Sequence, residues 1–191
     1  MSLGFTTLSD TCFGCKTCQM ACANEKLLVP GVFLRRVRGF DAGDAPKHAF
    51  LSMACNHCDD PACLAICPVG AYTKNADGLV IQVHELCIGC QQCINACPFP
   101  APAFCEDEKK TYKCDGCVDR QAAGMEPRCV DACPAGNIRL GEFDNLDGES
   151  AKDLAETKPN LKVRIDEDIQ MSVISDIDAA PKLVDAGGEG Y

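Results

Sequence analysis

The chain has 191 residues, a formal net charge of -10 and seventeen cysteines, and it contains no tryptophan. Its length suffices for one ordinary domain or two very small ones, so a large apolar core is not available to every segment. The acidic excess disfavours nucleic acid and anionic membrane surfaces as partners, and the odd cysteine count argues against a scaffold held by disulfides alone.

Two hairpins and a last strand are predicted along the chain. Residues 35–40 and 48–53 have strand character on either side of a turn rich in Asp and Gly, and residues 71–74 and 79–84 repeat that arrangement. A final strand is predicted over residues 137–143. These strands separate the segments that carry the cysteines.

Short helices are predicted within the cysteine-rich segments. They cover residues 15–26, 58–67 and 90–97, and the last two are ended by Pro68 and Pro98. A strand, a cysteine-bearing turn, a helix and a further strand make up a ferredoxin unit, and this order occurs twice. The prediction is therefore an α+β fold.

Residues 142–191 are predicted to be an acidic C-terminal extension. Residues 1–140 hold 15 acidic and 13 basic side chains, whereas residues 141–191 hold 13 and 5. One interpretation is a solvated tail. The other is an extended segment lying across a partner subunit, favoured by the apolar residues Val163, Ile165, Ile169, Val173, Ile174 and Ile177.

Sixteen cysteines fall into four sets, which are variants of one repeated pattern. The first and third sets have the spacing C-x2-C-x2-C-x3-C, and the other two lengthen the middle gap. In chain order the sets are Cys12, Cys15, Cys18 and Cys22; Cys55, Cys58, Cys63 and Cys67; Cys87, Cys90, Cys93 and Cys97; Cys114, Cys117, Cys129 and Cys133.

This spacing is typical of ligands to 4Fe-4S clusters. Three thiolates at short intervals on a turn can reach three irons of one cubane, whereas the fourth, followed by proline in three of the sets, serves a second cluster. A glycine precedes the second cysteine at Gly14, Gly89 and Gly116. There a positive φ would bring backbone amides close to cluster sulfur.

The order of the sets resembles the iron-sulfur subunit of the dimethyl sulfoxide reductase and polysulfide reductase family of molybdopterin oxidoreductases. The likeness covers residues 5–141 and includes Cys55-Asn-His-Cys58-Asp-Asp-Pro-Ala-Cys63 and Lys113-Cys-Asp-Gly-Cys117. The resemblance implies two ferredoxin-like lobes of two clusters each, one nested in the other. The outer lobe would comprise residues 1–30 and 105–141, and the inner lobe residues 31–104.

The resemblance also implies that the first set pairs with the fourth and the second with the third. We name the four expected cluster sites A to D. Site A would consist of Cys12, Cys15, Cys18 and Cys133; site B of Cys22, Cys114, Cys117 and Cys129; site C of Cys55, Cys58, Cys63 and Cys97; and site D of Cys67, Cys87, Cys90 and Cys93.

Two features distinguish members of this wider group. Nitrate-reductase partners replace one cysteine of the third set by tryptophan, but here that set is complete, so four 4Fe-4S clusters are implied. Formate-dehydrogenase partners commonly end in a spanning helix, which the charged residues 142–191 do not predict. One departure from the pattern is Ala23, which follows Cys22 in place of proline.

The resemblance implies an electron-transfer subunit without catalytic residues of its own. Its expected partners are a large molybdenum or tungsten bis-pterin subunit and a quinol-oxidising membrane anchor, and no membrane span is expected in this chain. No export signal is seen at the N-terminus. Location in a membrane-associated complex is expected, extracytoplasmic by co-export with a signal-bearing partner, or alternatively cytoplasmic.

Two other functions remain open from the residues. A free-standing soluble polyferredoxin would carry the same clusters. A zinc-binding interaction module would hold one zinc in each set. Bound iron and sulfide would separate the second alternative from the first.

Some single residues also carry expectations. Lys16, Arg35, Arg36, Lys113 and Arg128 lie beside ligands or on the adjoining hairpin, where a positive charge would raise a cluster's potential. His57 is expected to pack near a cluster, because its set is already complete. Cys105, the seventeenth cysteine, fits no ligand spacing and is expected to be a free thiol.

Overall fold

The computed structural model describes residues 2–41 and 48–164 as a mixed α/β fold of short elements. Its strands are β1 (Leu3–Leu8), β2 (Arg36–Asp41), β3 (His48–Met53), β4 (Tyr72–Lys74), β5 (Val80–Gln82), β6 (Ala103–Cys105), β7 (Lys110–Tyr112), β8 (Ile138–Glu142), β9 (Glu149–Ser150) and β10 (Leu161–Arg164). Its helices are α1 (Thr17–Glu25), α2 (Ala62–Ile66), α3 (Gln92–Ala96), α4 (Val118–Ala122) and α5 (Arg128–Asp131).

Three antiparallel hairpins pair strands that are neighbours in sequence: β2 with β3, β4 with β5, and β6 with β7. The first two were predicted and are confirmed. The turn between β4 and β5 is fixed locally, because the Asn75 side chain accepts hydrogen bonds from the backbone N–H groups of Asp77 and Leu79.

The helices pack in two pairs that follow the cysteine sets. Helix α1 of the first set packs against α5 of the fourth, and α2 of the second packs against α3 of the third. All are short, and none in the described ranges is long and apolar enough to cross a membrane. Each pair of helices therefore brings two distant cysteine sets together.

A four-stranded sheet joins the two ends of the described chain. Its order is β8-β1-β10-β9, with β1 antiparallel to β8 and parallel to β10. The side chains of Phe5, Ile138, Leu161 and Val163 are at most 2% exposed and form a core on this sheet.

Residues 142–164 of the predicted extension are folded against the rest of the protein. Strand β10 pairs with β1, and residues 157–160 pair with the second cysteine set through Asp59 N–H to Lys158 O and Asn160 N–H to Asn56 O. Of the apolar residues named for the extension, Val163 is buried within this chain. The others lie outside the described residues. The sequence interpretation predicted β8, as a strand over residues 137–143, but missed its pairing with β1 and β10 because these strands are far apart in the chain.

Candidate iron-sulfur sites

The four cysteines of site A line one cavity beside α1. Cys12, Cys15 and Cys18 come from the first set and Cys133 from the fourth. Ser52 of β3 also lines this cavity, and its Oγ lies 3.3 Å from the Sγ of Cys18. The N-terminal and C-terminal cysteine sets thus contribute to the same site.

The cysteines of sites C and D line two further cavities. Cys55, Cys58, Cys63 and Cys97 surround one of them, and Cys67, Cys87, Cys90 and Cys93 surround the other. In each cavity three cysteines belong to one set and the remaining cysteine is the last of the paired set. These are the cysteines that the resemblance groups at sites C and D, and their assignment as cluster ligands stays a prediction.

The cysteines of site B are all buried and lie within electrostatic range of one another. Cys22, Cys114, Cys117 and Cys129 are between 4% and 7% exposed. Burial raises the pKa of Cys22 to about 12, and the thiolates of Cys129 and Cys117 add to this effect. Site B is therefore the most enclosed of the four.

Backbone N–H groups point at cysteine sulfurs in a repeated pattern. The N–H donor lies two residues after Cys55 and Cys114, at 3.4 Å, and four residues after Cys67 and Cys133, at 3.3 Å. The glycines predicted to allow such turns, Gly14, Gly89 and Gly116, have φ of +70, +70 and +71°. Their predicted positive φ is confirmed.

These donors fit 4Fe-4S clusters. Soft thiolate ligands are those that iron-sulfur clusters and zinc prefer, and amide hydrogen bonds to sulfur are typical of cluster sites. Among residues 2–41 and 48–164, no three His, Cys, Asp or Glu side chains are grouped to hold a single metal ion. The cysteines of sites A, C and D line cavities.

Burial also determines the protonation of the metal-free thiols. It raises the pKa of Cys58 and Cys63 to about 12 and that of Cys97 to about 11. The exposed Cys15 is the opposite case, because a hydrogen bond from Thr17 lowers its pKa. Iron must therefore displace protons from the buried cysteines when a cluster is inserted.

The five predicted cations fall into two groups. Arg35 and Lys113 are buried, whereas Lys16 is exposed, Arg36 donates to the Pro100 carbonyl at 2.7 Å, and Arg128 forms an ion pair with Asp131 at 2.6 Å. Only the two buried cations are shielded from solvent and face several cysteines.

Arg35 lies between sites A and B. One guanidinium nitrogen donates to the carbonyl and hydroxyl oxygens of Ser52, both at 3.1 Å, and the group lies over the Phe5 ring. Its buried Nε has no partner among the described residues. Burial alone would lower the pKa of Arg35, but the thiolates of sites A and B raise it above its ordinary value. An anionic group in these sites would compensate this cation.

His57 and Cys105 are both buried away from solvent. His57 is 1% exposed, and its Nδ1 accepts a hydrogen bond from Val80 N–H at 3.0 Å. Cys105 is fully buried in β6, within a core that includes Val32 and Leu34, and it does not line the cavities of sites A, C or D. Its assignment as a free thiol stays a prediction.

Tyr72 and Thr157 were missed in the sequence. Tyr72 lines the cavity of site D, and its pKa is raised by burial and by the thiolates of Cys93 and Cys63. Thr157 lines the cavity of site C from the extension. Tyr72 follows Cys67 by five residues, as Ile138 follows Cys133, so a comparison of the repeats could have identified it.

This arrangement defines a ferredoxin-like protein built to hold 4Fe-4S clusters. Residues 46–143 match the family described as 4Fe-4S dicluster domain, and residues 9–25 match a 4Fe-4S binding domain. The iron-sulfur subunit of the anaerobic dimethyl sulfoxide reductase of Escherichia coli strain K12 is 40% identical over 180 residues, which cover 84% of this chain and 87% of that protein.

More distant relatives belong to other oxidoreductases. The formate dehydrogenase-O iron-sulfur subunit of Escherichia coli is 34% identical over 78% of this chain and 56% of its own length. One subunit of the tetrathionate reductase of Salmonella typhimurium strain LT2 is 31% identical, over 80% and 62% respectively. The present protein belongs to the family of iron-sulfur subunits of the dimethyl sulfoxide reductase type. It is a non-catalytic electron-transfer subunit of an oxidoreductase complex.

Proposed function

We propose that the chain holds four 4Fe-4S clusters, at sites A to D, and relays electrons between a quinone-linked membrane anchor and a molybdenum or tungsten bis-pterin catalytic subunit. The complex would be an anaerobic respiratory reductase. The observation that carries the proposal is the exchange of cysteines between sets, which puts four thiols around each of three cavities.

Side chains of this protein connect the four sites in the order A, B, C, D. Arg35 faces sites A and B, Lys113 faces cysteines of sites B and C, and Tyr72 is near cysteines of sites C and D. A bound 4Fe-4S cluster supplies a one-electron couple. The protein's part is to exclude water, fix the thiols and place positive charge beside them.

The terminal sites are the ones open to partners. Cys15 of site A and Cys90 of site D are exposed, whereas all four cysteines of site B are buried. Two residues before each exposed cysteine lies an exposed apolar side chain, Phe13 at 58% and Ile88 at 62%. We infer that one partner subunit docks at each end.

The relatives support a bound subunit over a free-standing polyferredoxin, because their names describe them as parts of dimethyl sulfoxide reductase, formate dehydrogenase and tetrathionate reductase. For location we propose a membrane-associated complex on the extracytoplasmic side, reached by co-export with a partner that bears a signal.

The first experiment measures iron, acid-labile sulfide and zinc in protein purified without oxygen. Four cubanes predict about 16 iron and about 16 sulfide per chain. About four zinc without sulfide would contradict the proposal and favour the zinc-binding module. A value near 12 iron would reduce the number of clusters to three.

The second experiment purifies the tagged chain from membranes of native cells. The proposal predicts that a large subunit containing molybdenum or tungsten and an apolar membrane subunit will co-purify. Recovery of the chain only as a monodisperse monomer, with full iron, would instead support the polyferredoxin.

A further inference from the structure

Sites B and C are joined by two side chains that cross in opposite directions. His57 belongs to the second cysteine set, and its Nε2 lies 3.9 Å from the Sγ of Cys114 in the fourth set. Lys113 directly precedes Cys114 of the fourth set, and its Nζ donates to the Sγ of Cys55 in the second set at 3.3 Å. Each set thus places a donor on a cysteine of the other.

One residue of β5 holds both donors in place. The Val80 N–H donates to Nδ1 of His57 at 3.0 Å, and the Val80 carbonyl accepts from Nζ of Lys113 at 2.5 Å. Because Nδ1 is an acceptor, the proton of the neutral imidazole is on Nε2, the nitrogen that faces Cys114. Burial, followed by the charge of Lys113, keeps the pKa of His57 well below its ordinary value.

Further contacts fix the pair. The Cys114 carbonyl accepts from Lys113 at 2.6 Å, and the Asn160 side chain donates to the His57 carbonyl at 2.8 Å. The Phe5 ring stacks on the imidazole with centroids 6.0 Å apart. Neither donor can turn away without breaking bonds inside the protein.

The ammonium of Lys113 is a buried charge without a carboxylate partner among the described residues. It is 7% exposed, and its contacts are two carbonyl oxygens and a cysteine sulfur. A buried cation is destabilising unless a negative group compensates it. Burial alone would lower the pKa of Lys113, but the thiolates of Cys55, Cys114 and Cys63 raise it.

We propose that Lys113 and His57 are reciprocal positioning residues that raise the reduction potentials of the two middle clusters, Lys113 acting chiefly on site C and His57 on site B. The inference rests on the proposed function, since both sites must hold clusters. A positive charge or a hydrogen-bond donor at a ligand sulfur stabilises the more negative, reduced cluster. The two sites farthest from the exposed ends would thus remain reducible.

The test is a potentiometric titration of the holo-subunit followed by electron paramagnetic resonance. Replacement of Lys113 by Gln should lower the reduced-to-oxidised ratio of site C at least tenfold at a fixed potential, a shift of about 59 mV for one electron. Replacement of His57 by Phe should lower the potential of site B by a smaller amount, because a neutral donor is lost. The variants C63S and C129S assign the resonances of sites C and B.

Lys26 provides the matched control. It lies near Cys117 and Cys114, but its Nζ is paired with Asp115 at 2.7 Å and its side chain is 23% exposed. The variant K26Q should therefore change the ratio less than threefold at every site. A shift as large as that of K113Q would attribute the effect to net charge and overturn the proposal.

Iron and sulfide are measured first on every sample, so that failure of the proposed function is seen in the wild type. A K113Q protein with full iron and unchanged potentials would overturn the inference. If the K113Q protein loses iron, the K113R protein is measured next. Full iron in K113R supports a requirement for the positive charge. Loss of iron in both variants shows that Lys113 has a packing role and overturns the inference. A shift of site C instead of site B in H57F would overturn the reciprocal assignment.

Discussion

The backbone of the third cysteine set depends on one glycine that leaves no room for a larger side chain. Gly89, between Cys87 and Cys90 of site D, has a φ of +70° and lies against the carbonyl oxygen of Lys109 on the β6–β7 hairpin. An added Cβ would overlap that oxygen. A backbone carbonyl cannot move aside as the end of a flexible side chain can, so the contact leaves no room for a methyl group.

Replacement of Gly89 by Ala is expected to destabilise site D. The clash with Lys109 adds to the cost of about 1 to 2 kcal/mol that a non-glycine residue incurs at positive φ. We expect loss of about four iron per chain, the content of one cubane. Iron analysis and anaerobic urea unfolding measure the two effects.

Gly124 is the matched control for Gly89. Its φ is +73°, but a methyl group there would meet no atom within 4 Å. The free energy of unfolding of the variant G124A should fall only by the cost of placing alanine at positive φ, and the variant should keep all its iron. Equal losses of iron in the two variants would mean that the overlap with Lys109 is not what limits site D.

The four cysteine sets and the positive φ of the glycines could be predicted from sequence because both follow from local spacing, whereas the pairing of the sets was implied only by the resemblance. The contacts of Lys113 and His57 could not, because each reaches a cysteine more than fifty residues away in the chain. The sequence identified five cations as equivalent, and only burial separates Arg35 and Lys113 from the rest. Whether a charged side chain is buried depends on the tertiary structure, so it could not be predicted from the amino-acid composition.

Strand β10 supports the protein from outside the cysteine sets. It pairs with β1 in the sheet, and the segment just before it holds the second cysteine set. Asn160, fully buried, donates from its side chain to the His57 carbonyl and to the Asp59 carboxylate. Site C is therefore supported from residues beyond the last cysteine.

Replacement of Val163 by Asp is expected to unfold this strand from the sheet. Val163 is fully buried, and a carboxylate there would have no compensating charge, at a cost of more than about 3 kcal/mol. Anaerobic denaturant unfolding should show that loss, and hydrogen exchange should increase in β1 and β10.

Ser150 serves as the control for Val163. It is exposed on β9, opposite Lys162 of β10, and an Asp side chain there can keep the hydrogen bond to Lys152 N–H. The variant S150D should change stability by no more than about 0.5 kcal/mol. A comparable loss in S150D and V163D would show that a charge on either β9 or β10 is harmful, whether or not it is buried.

The predicted hairpins were those whose strands flank a recognisable turn, such as the one around Asn75. The β6–β7 hairpin was missed because its turn has Glu, Asp and Lys instead of the glycine that marks the other two. Strands β1 and β10 were missed because their pairing joins opposite ends of the described chain. The local sequence pattern predicts individual strands and hairpins. The pairing of strands that are distant in the chain depends on the packing of the whole protein.

For the whole molecule, pH should affect the metal-free and loaded proteins in opposite directions. Burial raises the pKa of Cys22, Cys58 and Cys63 from 9.0 to about 12 in the metal-free fold. Those protons stabilise the metal-free fold below pH 9.0, and this contribution is lost as pH rises toward about 12. In the loaded protein the thiolates carry no protons, and unfolding with loss of iron lets them bind protons below pH 9.0.

We therefore expect the Tm of the metal-free chain to fall above pH 9.0, whereas the Tm of the loaded protein rises up to that pH. Anaerobic circular dichroism on both forms measures the difference, and the other ionisable groups serve as an internal control because both forms share them. Parallel curves would contradict burial of the thiols. A metal-free chain without a cooperative transition at neutral pH would mean that iron is needed to form the fold.

The pairing of early with late cysteines has a consequence for how the protein is made. The four thiols of site C have all been synthesised once Cys97 is made, whereas those of site A are complete only when Cys133 has left the ribosome. Strand β1 is synthesised first and obtains its parallel neighbour β10 last. The first strand to emerge thus waits with one edge unpaired until nearly the whole described chain exists. Iron delivery that begins before then reaches sites C and D, whose last cysteines are Cys97 and Cys93, ahead of sites A and B, which need Cys133 and Cys129.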